Sequence, residues 1–372
     1  MRRMAIFVFY DFEGIVDEYV KYLLQSLMTV AEKIVIVSNG KLDIKGRKEF
    51  EIFTKYVYER DNRGYDAGAY KDTFTVYLKN EEWEKWDEVI MLNDTFYGPI
   101  YPWQEVFEKM DRQNVDFWGM TKQEKYKWYD GTILPPHIQS YFLAVRKKIL
   151  VSDTFKEFWI NMDYSEELLD AVLNFEVRFT NYFSKHNYKY ITYVDVMRSD
   201  FLIDKTELPY EYYIMELLTI TRMPLVKRKA LTILNFEKAL KTFQCMSQYT
   251  EYDIELIKKH MERLDINQKI SPFGYLEVNS FCERFPVVSI YGHGKIGKQV
   301  GAYLRWRGLK FEKYIVPEKK ESDGDSVVSY RELVIDNETG IIIALGRMNT
   351  AEVLPEITKE IPREQLLIPR YA

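Results

Sequence analysis

The stretch EVIMLNDTFYGPIYP, residues Glu88–Pro102, is the part of the chain that best predicts the fold. Its apolar residues Val89–Leu92 predict a short buried strand, which runs directly into Asn93-Asp94-Thr95 before Gly98-Pro99 turns the chain. In open α/β sheets, ligands bind in the crevice outside the carboxyl ends of the strands. An acid at this place is therefore expected at the floor of a ligand site. When the stretch is taken alone, an Asp that only caps a turn is the stronger explanation.

Short apolar runs and amphipathic segments alternate on both sides of this stretch. Before it, strands are predicted over 4–10, 33–37 and 56–60, with helices between them; after it, a helix is predicted over 104–112 and strands over 115–119 and 137–146. Strands that alternate with helices predict right-handed crossovers and a mostly parallel sheet. The predicted fold class is therefore α/β, with helices that flank the sheet.

Two changes of pattern divide the chain. After residue 205 the alternation of strands stops, and amphipathic helices are predicted over Leu225–Leu240 and Tyr252–Leu264. At Phe285-Pro286 a strand–helix–strand pattern resumes. We therefore expect an α/β domain over 1–205, a helical extension over 206–283 and a small Rossmann-like accessory domain over 284–372.

The composition excludes several classes of protein. The chain has 372 residues, of which 52 are basic and 57 acidic, and a net charge of −5 argues against general affinity for nucleic acid. The two cysteines and four scattered histidines lack metal-ligand spacing. No apolar run approaches the ~20 residues that span a bilayer. We therefore expect a cytoplasmic protein that binds no nucleic acid and is able to dock on the inner face of the plasma membrane.

One carboxylate interrupts an otherwise apolar helix face. At about 100° per residue, the helix predicted over 171–185 places Glu176 inside an apolar stripe. The stripe is formed by Val172, Phe175, Phe179 and Phe183. A carboxylate on an apolar face costs free energy unless it is paired or used in chemistry. A functional carboxylate and a structural pair with an Arg or Lys brought by the fold are equally good explanations at this point.

The segment Asn62-x-Gly64-x-Asp66-x-Gly68-Ala69 connects the third predicted strand to the next helix. Glycines at such a place let the backbone approach a ligand, and a helix N-terminus favours an anion such as a diphosphate. A tight turn capped by Asp66 is the structural alternative. The ligand explanation gains weight because Asn93-Asp94 is expected at the same edge of the sheet.

Taken together, these segments resemble the rhamnan synthesis protein F family, which are glycosyltransferases of bacterial cell-surface polysaccharide assembly with a GT-A-like fold. The resemblance covers roughly residues 4–265 and rests on the set of motifs rather than on any one of them. The segments that carry it are FYDFEGIVD from Phe9, DNRGYDAGAY from Asp61, LNDTFYGP from Leu92, DFWGMT from Asp116, HIQSYF from His137 and YTEYD from Tyr249.

The resemblance implies an inverting transfer of a sugar, typically L-rhamnose from a dTDP donor, to a growing glycan. The expected partners are a nucleotide-sugar donor and a glycan or lipid-linked glycan acceptor, and a homodimer is a further expectation. The residues expected to bind the donor are Tyr10, Asp11, Asn39, Arg63, Gly64, Asp66, Asn93 and Asp94. In the helical extension, Tyr210-Glu211-Tyr212-Tyr213 and Lys227-Arg228-Lys229 are candidate contacts to a lipid-linked acceptor, although a solvated helix face explains the basic triplet better.

A divalent cation is the expected cofactor, since many GT-A enzymes hold the diphosphate through a metal on an Asp-x-Asp motif. This sequence departs from that motif, because the equivalent position reads Asn93-Asp94-Thr95. Asp94 is the one predicted ligand for Mg²⁺ or Mn²⁺, which prefer oxygen ligands. Arg63 or Lys71 is the alternative source of positive charge for the diphosphate.

The resemblance also implies catalytic roles. Glu176 is the predicted general base for the acceptor hydroxyl, and a buried, partly apolar setting is expected to raise its pKa toward that role. Asp116 is the rival base. The candidate residues on the acceptor side are Trp118, His137 and Gln139, and for His137 a structural role is as good an explanation.

A second nucleotide-type motif lies near the C-terminus. Gly292-x-Gly294-x-x-Gly297 follows a predicted strand as a Rossmann-like fingerprint does, and Glu318 stands about where a ribose-binding acid is expected. A lone fingerprint is weak, so an accessory module is favoured over a domain that binds NAD(P) for catalysis. The alternative function for the whole chain is an NAD(P)- or nucleotide-binding protein of surface-polysaccharide biosynthesis without transferase activity of its own.

Overall fold

The computed structural model describes residues 1–127, 131, 133–195, 213–231, 236–267, 273, 275–321, 324–333 and 335–369. The chain divides into two compact units, Met1–Ala230 with Met246–Asp253, and Leu231–Cys245 with Ile254–Ala372. The expected boundary at residues 205 and 206 lies outside the described residues, and the expected helical extension contributes to both units. The three-domain division stays a prediction.

Thirteen strands are described in the first unit, most of them short. They are β1 (Arg3–Phe9), β2 (Lys33–Ser38), β3 (Val57–Glu59), β4 (Glu88–Asn93), β5 (Phe96–Tyr97), β6 (Phe117–Gly119), β7 (Lys122–Gln123), β8 (Tyr126–Lys127), β9 (Ile133–Leu134), β10 (His137–Ile138), β11 (Phe142–Arg146), β12 (Tyr190–Thr192) and β13 (Val226–Lys227).

Seven of these strands form the central sheet, in the order β12-β6-β11-β4-β1-β2-β3. All neighbours in it run parallel except β11, which is antiparallel to both β4 and β6. Every residue of β1 and β4 is buried, as expected for strands whose two faces are both covered by helices. The predicted α/β fold with a mostly parallel sheet is therefore confirmed.

The helices of the first unit cover the two faces of this sheet. They are α1 (Glu18–Leu27), α2 (Ile44–Phe53), α3 (Tyr65–Asp72), α4 (Asn80–Glu84), α5 (Trp103–Asp111), α6 (Lys147–Leu150), α7 (Asp153–Ile160), α8 (Leu168–Ala171), α9 (Arg178–Lys185) and α10 (Ile214–Thr219). Two π-helical turns, Thr73–Tyr77 and Val172–Val177, follow α3 and α8. The aromatic residues of α7 and α9 pack with those of the first π-turn in one core.

Two sequence predictions in this unit need correction. The strand predicted over 137–146 is two strands, because β10 pairs with β7 while β11 joins the central sheet. The helix predicted over Leu225–Leu240 is wrong at its start, where β13 pairs antiparallel with β5 and a 3₁₀ turn follows over Arg228–Leu231. The apolar spacing of a short segment cannot distinguish a helix from a strand that finds its partner far away in the chain.

The second unit contains a smaller, all-parallel sheet. Its strands are β14 (Val287–Tyr291), β15 (Tyr314–Val316), β16 (Val327–Ser329), β17 (Thr339–Ile343) and β18 (Leu366–Leu367), in the order β16-β15-β14-β17-β18. The helices are α11 (Phe236–Tyr249, shared with the first unit), α12 (Glu255–Asn267), α13 (Tyr275–Arg284), α14 (Lys295–Arg307) and α15 (Arg347–Glu360), with 3₁₀ turns at Tyr330–Glu332 and Arg363–Gln365. The predicted Rossmann-like C-terminal pattern is confirmed. None of the helices in the described ranges is long and apolar enough to cross a membrane.

Candidate functional site

The carboxyl ends of β1, β2 and β4 lie side by side at one edge of the central sheet. Val8 pairs with both Val37 and Asn93, so the residues that follow these strands meet there. The backbone N–H of Tyr10 donates to Oδ2 of Asp94 over 3.4 Å. Tyr10 exposes 45% of its surface, whereas Asp94 is buried. The structure thus brings several of the predicted donor-binding residues to one edge, as the parallel topology requires.

Asn93 connects this edge to the first turn of α3. Its Oδ1 accepts from the backbone N–H and the hydroxyl of Thr95, at 3.1 and 2.7 Å, and its Nδ2 donates to Asp66 over 2.5 Å. Burial, and after it the charge of Asp94, raises the pKa of Asp66 to about 7, although the bond from Asn93 and the charge of Lys227 oppose the shift. Asp66 is therefore a carboxyl that titrates near neutral pH.

Glu176 lies close to the same edge. The backbone N–H and the hydroxyl of Ser140 donate to its Oε2 over 2.7 and 2.6 Å. The next residue after Ser140, Tyr141, accepts from the backbone N–H of Asn93 over 3.3 Å. Glu176 belongs to the π-helical turn Val172–Val177, a wider turn that often occurs at functional sites. The charge of Glu176 also contributes to the raised pKa of Asp66, which places the two carboxylates in one electrostatic neighbourhood.

The expected rise in the pKa of Glu176 is wrong. Burial favours the neutral acid, but the neighbouring His137 and Ser140 stabilise the carboxylate and lower its pKa overall. His137 Nε2 lies 3.3 Å from Oε1 of Glu176, while its Nδ1 lies 2.6 Å from the carbonyl oxygen of Pro135. Burial opposes the charge of the imidazole, yet the carboxylate raises the pKa of His137. The partner of Glu176 is therefore a histidine, and not the Arg or Lys that the structural explanation expected.

Two cationic residues that sequence reasoning did not assign to the site complete it. Because β13 pairs with β5, the backbone N–H of Arg228 donates to Thr95 O over 3.0 Å. Its Nη1 lies 3.2 Å from Oδ2 and 2.9 Å from the backbone oxygen of Asp94. Lys227 Nζ donates to the Thr95 hydroxyl over 2.9 Å and lies 4.2 Å from the centre of the Tyr141 ring.

The setting of Asp94 does not fit the expected divalent cation. Burial raises the pKa of Asp94, whereas the charge of Arg228 and the N–H of Tyr10 stabilise its carboxylate. Two unit positive charges about 4 Å apart repel by about 4 kcal/mol near a protein surface, and a divalent cation is repelled about twice as strongly, so the guanidinium disfavours a metal on the same carboxylate. The amide oxygen of Asn93 already accepts two bonds. Among the described residues, no group of three His, Cys, Asp or Glu side chains is placed to hold a metal ion.

Other predicted donor-binding residues have protein partners. Gly64 is the N-cap residue of α3 and has φ +74°, a conformation that suits glycine. The Arg63 guanidinium lies 4.6 Å from the centre of the Tyr164 ring. Asp11 Oδ1 accepts from the backbone N–H groups of Glu13 and Ile15, each over 3.0 Å.

The alternative counter-charge at Lys71 is not aimed at the diphosphate in this structure. Lys71 Nζ donates to the carbonyl oxygens of Met162 and Ile160, the second over 3.2 Å. Ile160 is the last residue of α7, and Met162 follows shortly after it. The cation therefore has a structural role between two segments of the first unit.

Two buried polar groups near the strand ends have no hydrogen-bond partner among the described residues. Asn39, only 1% exposed, accepts from Arg60 Nη1 over 2.6 Å, but its Nδ2 donates to none of the residues that the structure describes. The buried hydroxyl of Tyr70 likewise has no partner in the described part of the chain, and burial with the charges of Asp66 and Asp94 raises its pKa well above the usual value. A buried donor without an acceptor is costly, so these atoms are suited to meet a ligand.

Asp116 and Trp118 are not part of this arrangement. Asp116 precedes β6, and its backbone oxygen accepts from Arg146 at the end of β11, so it lies at the opposite edge of the sheet. Its carboxylate pairs with Lys148 over 3.0 Å. Trp118 is fully buried and its Nε1 donates to Glu88 over 2.8 Å. Neither the rival-base role of Asp116 nor the acceptor role of Trp118 fits these positions, because sequence proximity to a motif does not fix the edge or the face of a strand.

Gln139, the remaining residue predicted on the acceptor side, is buried. Its Oε1 accepts from the Thr121 hydroxyl over 2.6 Å, and that hydroxyl also lies 2.7 Å from the Tyr141 hydroxyl. Gln139 therefore supports the Tyr141 ring on which the Lys227 ammonium lies.

The glycines of the C-terminal turn have different surroundings. A Cβ on Gly297 would lie 1.9 Å from the backbone oxygen of Gly292, which itself has φ +117°, whereas a Cβ on Gly294 would meet no atom within 4 Å. A cavity of about 580 Å³ lies beside this turn, and its lining includes Lys295, Pro317 and Gly346. This cavity lies where the strand order reverses between β14 and β17, which is the usual ligand position in such sheets.

Comparison with known proteins gives one family and several distant similarities. The model of the family described as rhamnan synthesis protein F matches residues 34–285. The uncharacterized protein y4gN of Sinorhizobium fredii (strain NBRC 101917 / NGR234) is 26% identical over 180 residues, which are 48% of this chain and 45% of that protein. The chain thus spans less than half the length of this relative.

Similarity to solved structures is distant and covers about half of the chain. The 4-diphosphocytidyl-2C-methyl-D-erythritol synthase of Anaerococcus prevotii DSM 20548 has a TM-score of 0.32 and 10% identity, over 51% of this chain and 87% of that one. The glucosyl-3-phosphoglycerate synthase of Mycobacterium tuberculosis, solved with Mg²⁺ and uridine diphosphate, has a TM-score of 0.25 and 11% identity, over 46% and 74%.

Proposed function

Because the chain belongs to the rhamnan synthesis protein F family, we propose that it is a glycosyltransferase that uses a nucleoside-diphosphate sugar. The donor is a dTDP- or UDP-type nucleotide that carries L-rhamnose or a related deoxysugar, and the acceptor is a cell-surface polysaccharide or its lipid-linked precursor. The cytoplasmic location, the peripheral contact with a membrane and the homodimer remain predictions. Tyr210–Tyr212 of the candidate membrane contact lie outside the described residues.

The observation that supports this proposal is the convergence of three carboxylates at one edge of the sheet. Asp94, Asp66 and Glu176 are brought there by three separate segments, and the charges of the other two affect the pKa of Asp66. Such a group of acids is costly to fold, and carboxyl groups with shifted pKa values are typical of sites that transfer protons. The unpartnered Nδ2 of Asn39 and hydroxyl of Tyr70 add donors for the nucleoside part of the donor.

In the proposed reaction, the acceptor hydroxyl oxygen attacks the anomeric carbon of the donor sugar. The new glycosidic bond forms as the bond from this carbon to the diphosphate oxygen breaks, and the electron pair leaves with the diphosphate. Attack from the face opposite the leaving group inverts the anomeric centre. Glu176 takes the hydroxyl proton in this scheme. Ser140 and His137 hold the carboxylate in one orientation and keep it ionised, which is the state that a base requires.

Asp66 is the alternative base. Its pKa of about 7 is closer than that of Glu176 to the value at which a general base works best near neutral pH. Two carboxyl groups whose surroundings move their pKa values apart commonly divide the roles of proton transfer and charge stabilisation between them. If Asp66 is the base, Glu176 instead orients the acceptor.

The replacements Glu176→Gln and Asp66→Asn decide between these roles. We expect Glu176→Gln to reduce transfer by roughly 10²–10⁴-fold, while binding of dTDP or UDP, measured by calorimetry, is kept. Glu51→Gln, at an exposed salt bridge with Arg47 on α2, is the matched control. If Glu176→Gln retains transfer and Asp66→Asn loses it, the base is Asp66. Full transfer by both variants would refute the site.

A second function is favoured by the cavity beside the C-terminal glycine turn. We propose that it binds a nucleotide, either as an accessory function or as the main function of a protein without transferase activity. Thermal shift assays with dTDP, UDP and NAD⁺, each with and without Mn²⁺, test the two readings. Stabilisation by NAD⁺ and by neither nucleoside diphosphate would refute the transferase.

A further inference from the structure

The short strand β13 delivers two positive charges to the predicted diphosphate position. It pairs antiparallel with β5, so that Val226 lies opposite Tyr97 and Lys227 lies opposite Phe96. Strand β5 follows directly after the predicted metal-binding motif Asn93-Asp94-Thr95. This pairing fixes the backbone of Lys227 and Arg228 beside Thr95. The basic triplet that the sequence assigned to a solvated helix face is therefore partly built into the donor edge.

The guanidinium of Arg228 is anchored through one of its nitrogens. Nη1 makes the contacts to Asp94 and also lies 3.3 Å from the Tyr19 hydroxyl. In the described part of the chain, Nε and Nη2 have no protein acceptor, and 25% of the side chain is exposed. The Nε–Nη2 edge is the part of arginine that binds a phosphate through two parallel hydrogen bonds.

Lys227 supplies the second charge. Its ammonium is positioned by the Thr95 hydroxyl and by the face of the Tyr141 ring, and its charge acts on Asp66. Tyr141 in turn accepts from the backbone N–H of Asn93 and directly follows Ser140, which binds Glu176. The ammonium therefore contacts the residue after Asp94 and the residue after Ser140.

We propose that Lys227 and Arg228 bind the diphosphate of the donor directly, in the role that a divalent cation on an Asp-x-Asp motif has in other enzymes. The inference rests on the proposed function. In this arrangement Asp94 orients Arg228 instead of coordinating a metal, and the two cations stabilise the negative charge that develops on the diphosphate as it leaves. This also explains why a single carboxylate is sufficient at Asn93-Asp94-Thr95. The alternative is that Arg228 only holds β13 against the sheet through Asp94.

Binding of dTDP and UDP to the full chain, measured by calorimetry with excess EDTA and again with Mn²⁺, tests the proposal. We expect one of the two probes to bind with a Kd that differs by less than about twofold between the two conditions. Binding with Mn²⁺ but not with EDTA would overturn the inference and leave the proposed function in place. Absence of binding to both probes in both conditions would overturn the proposed function itself.

Two variants separate diphosphate binding from a structural role. Lys227→Met keeps the aliphatic stem and is expected to weaken binding of the diphosphate roughly tenfold or more, while binding of thymidine or uridine is unchanged. Arg228→Lys keeps a charge for Asp94 but lacks the Nε–Nη2 edge, so we expect a similar loss. Lys148→Met, at the opposite edge of the sheet, is the matched control.

The outcomes are distinct. Unchanged diphosphate affinity in Lys227→Met overturns the role of Lys227, and unchanged affinity in Arg228→Lys shows that the arginine is structural. If Arg228→Lys does not fold, as judged by circular dichroism, the EDTA comparison and Lys227→Met still decide the question. Equal loss of nucleoside and diphosphate binding in Lys227→Met would also contradict the proposal, because it would indicate damage to the whole site.

Discussion

Replacement of Asp66 by Asn is expected to stabilise the first unit and to remove part of its pH dependence. Burial, together with the charges of Asp94 and Glu176, raises the pKa of Asp66 from 3.8 to about 7. Between these two values the folded chain holds a proton that the unfolded chain has released. The free energy of unfolding therefore falls as the pH rises from about 4 to about 7, and is lowest where Asp66 is ionised in the folded state.

The two pKa values give the size of the effect. A difference of about 3 in pKa corresponds to about 4 kcal/mol, and solvent screening at this half-buried side chain reduces it to about 2 kcal/mol. Asn retains an oxygen that can accept the bond from Asn93. The variant therefore loses the charge and keeps the contact. We expect the difference in the free energy of unfolding between the variant and the natural chain to grow between about pH 4 and about pH 7 and to level off at higher pH.

Differential scanning calorimetry at several pH values measures this advantage. At about pH 8 we expect a rise in Tm of roughly 4–8 °C for the first unit, with a smaller rise at about pH 5. Asp61→Asn removes an exposed carboxylate from the same loop and is the matched control. A variant that is less stable at every pH, or equally stabilised at every pH, would refute the buried and negatively charged setting of Asp66.

Four further replacements test the packing and the position of individual residues. Gly297→Ala should lower the free energy of unfolding of the second unit by about 2 kcal/mol or more, because the new Cβ would lie 1.9 Å from a backbone oxygen. Gly294→Ala is the control: its Cβ would meet no atom within 4 Å, so the melting temperature should not change. Trp118→Phe should lower the free energy of unfolding, measured in urea, by about 1–3 kcal/mol, because buried Glu88 loses a hydrogen-bond donor. A changed KM for the acceptor would instead show that the indole reaches the substrate. Asp116→Asn should keep the transfer rate within about twofold, since this carboxylate lies at the far edge of the sheet, and a large loss would restore it as the base.

Local patterns were sufficient for much of the fold. The continuous apolar runs of β1, β2 and β4 predicted buried parallel strands, and their ends predicted which acids and amides would meet at one edge. The C-terminal pattern around Gly292 similarly predicted a strand followed by a helix. These predictions depend on residues close in the chain, and the structure agrees with them.

Which residues form the site depended on contacts between segments that are far apart in the sequence. Nothing local indicated that Val226 would pair with Tyr97, so the sequence placed Lys227 and Arg228 on a helix face. Nor did the helix wheel indicate that His137 and Ser140 would reach Glu176, which reverses the direction of its pKa shift.

The sequence by itself determined the α/β class, the edge of the sheet that gathers polar residues, and the resemblance to a glycosyltransferase family. Tertiary structure decided which charges act together there. Within the stretch Glu88–Pro102, strand β4 is followed by one carboxylate, Asp94, and only the pairing of β13 with β5 brings Arg228 to it. Periodicity and strand ends are properties of neighbouring residues, whereas the pKa of a carboxyl and the choice between a metal and an arginine depend on groups that folding brings together from distant segments.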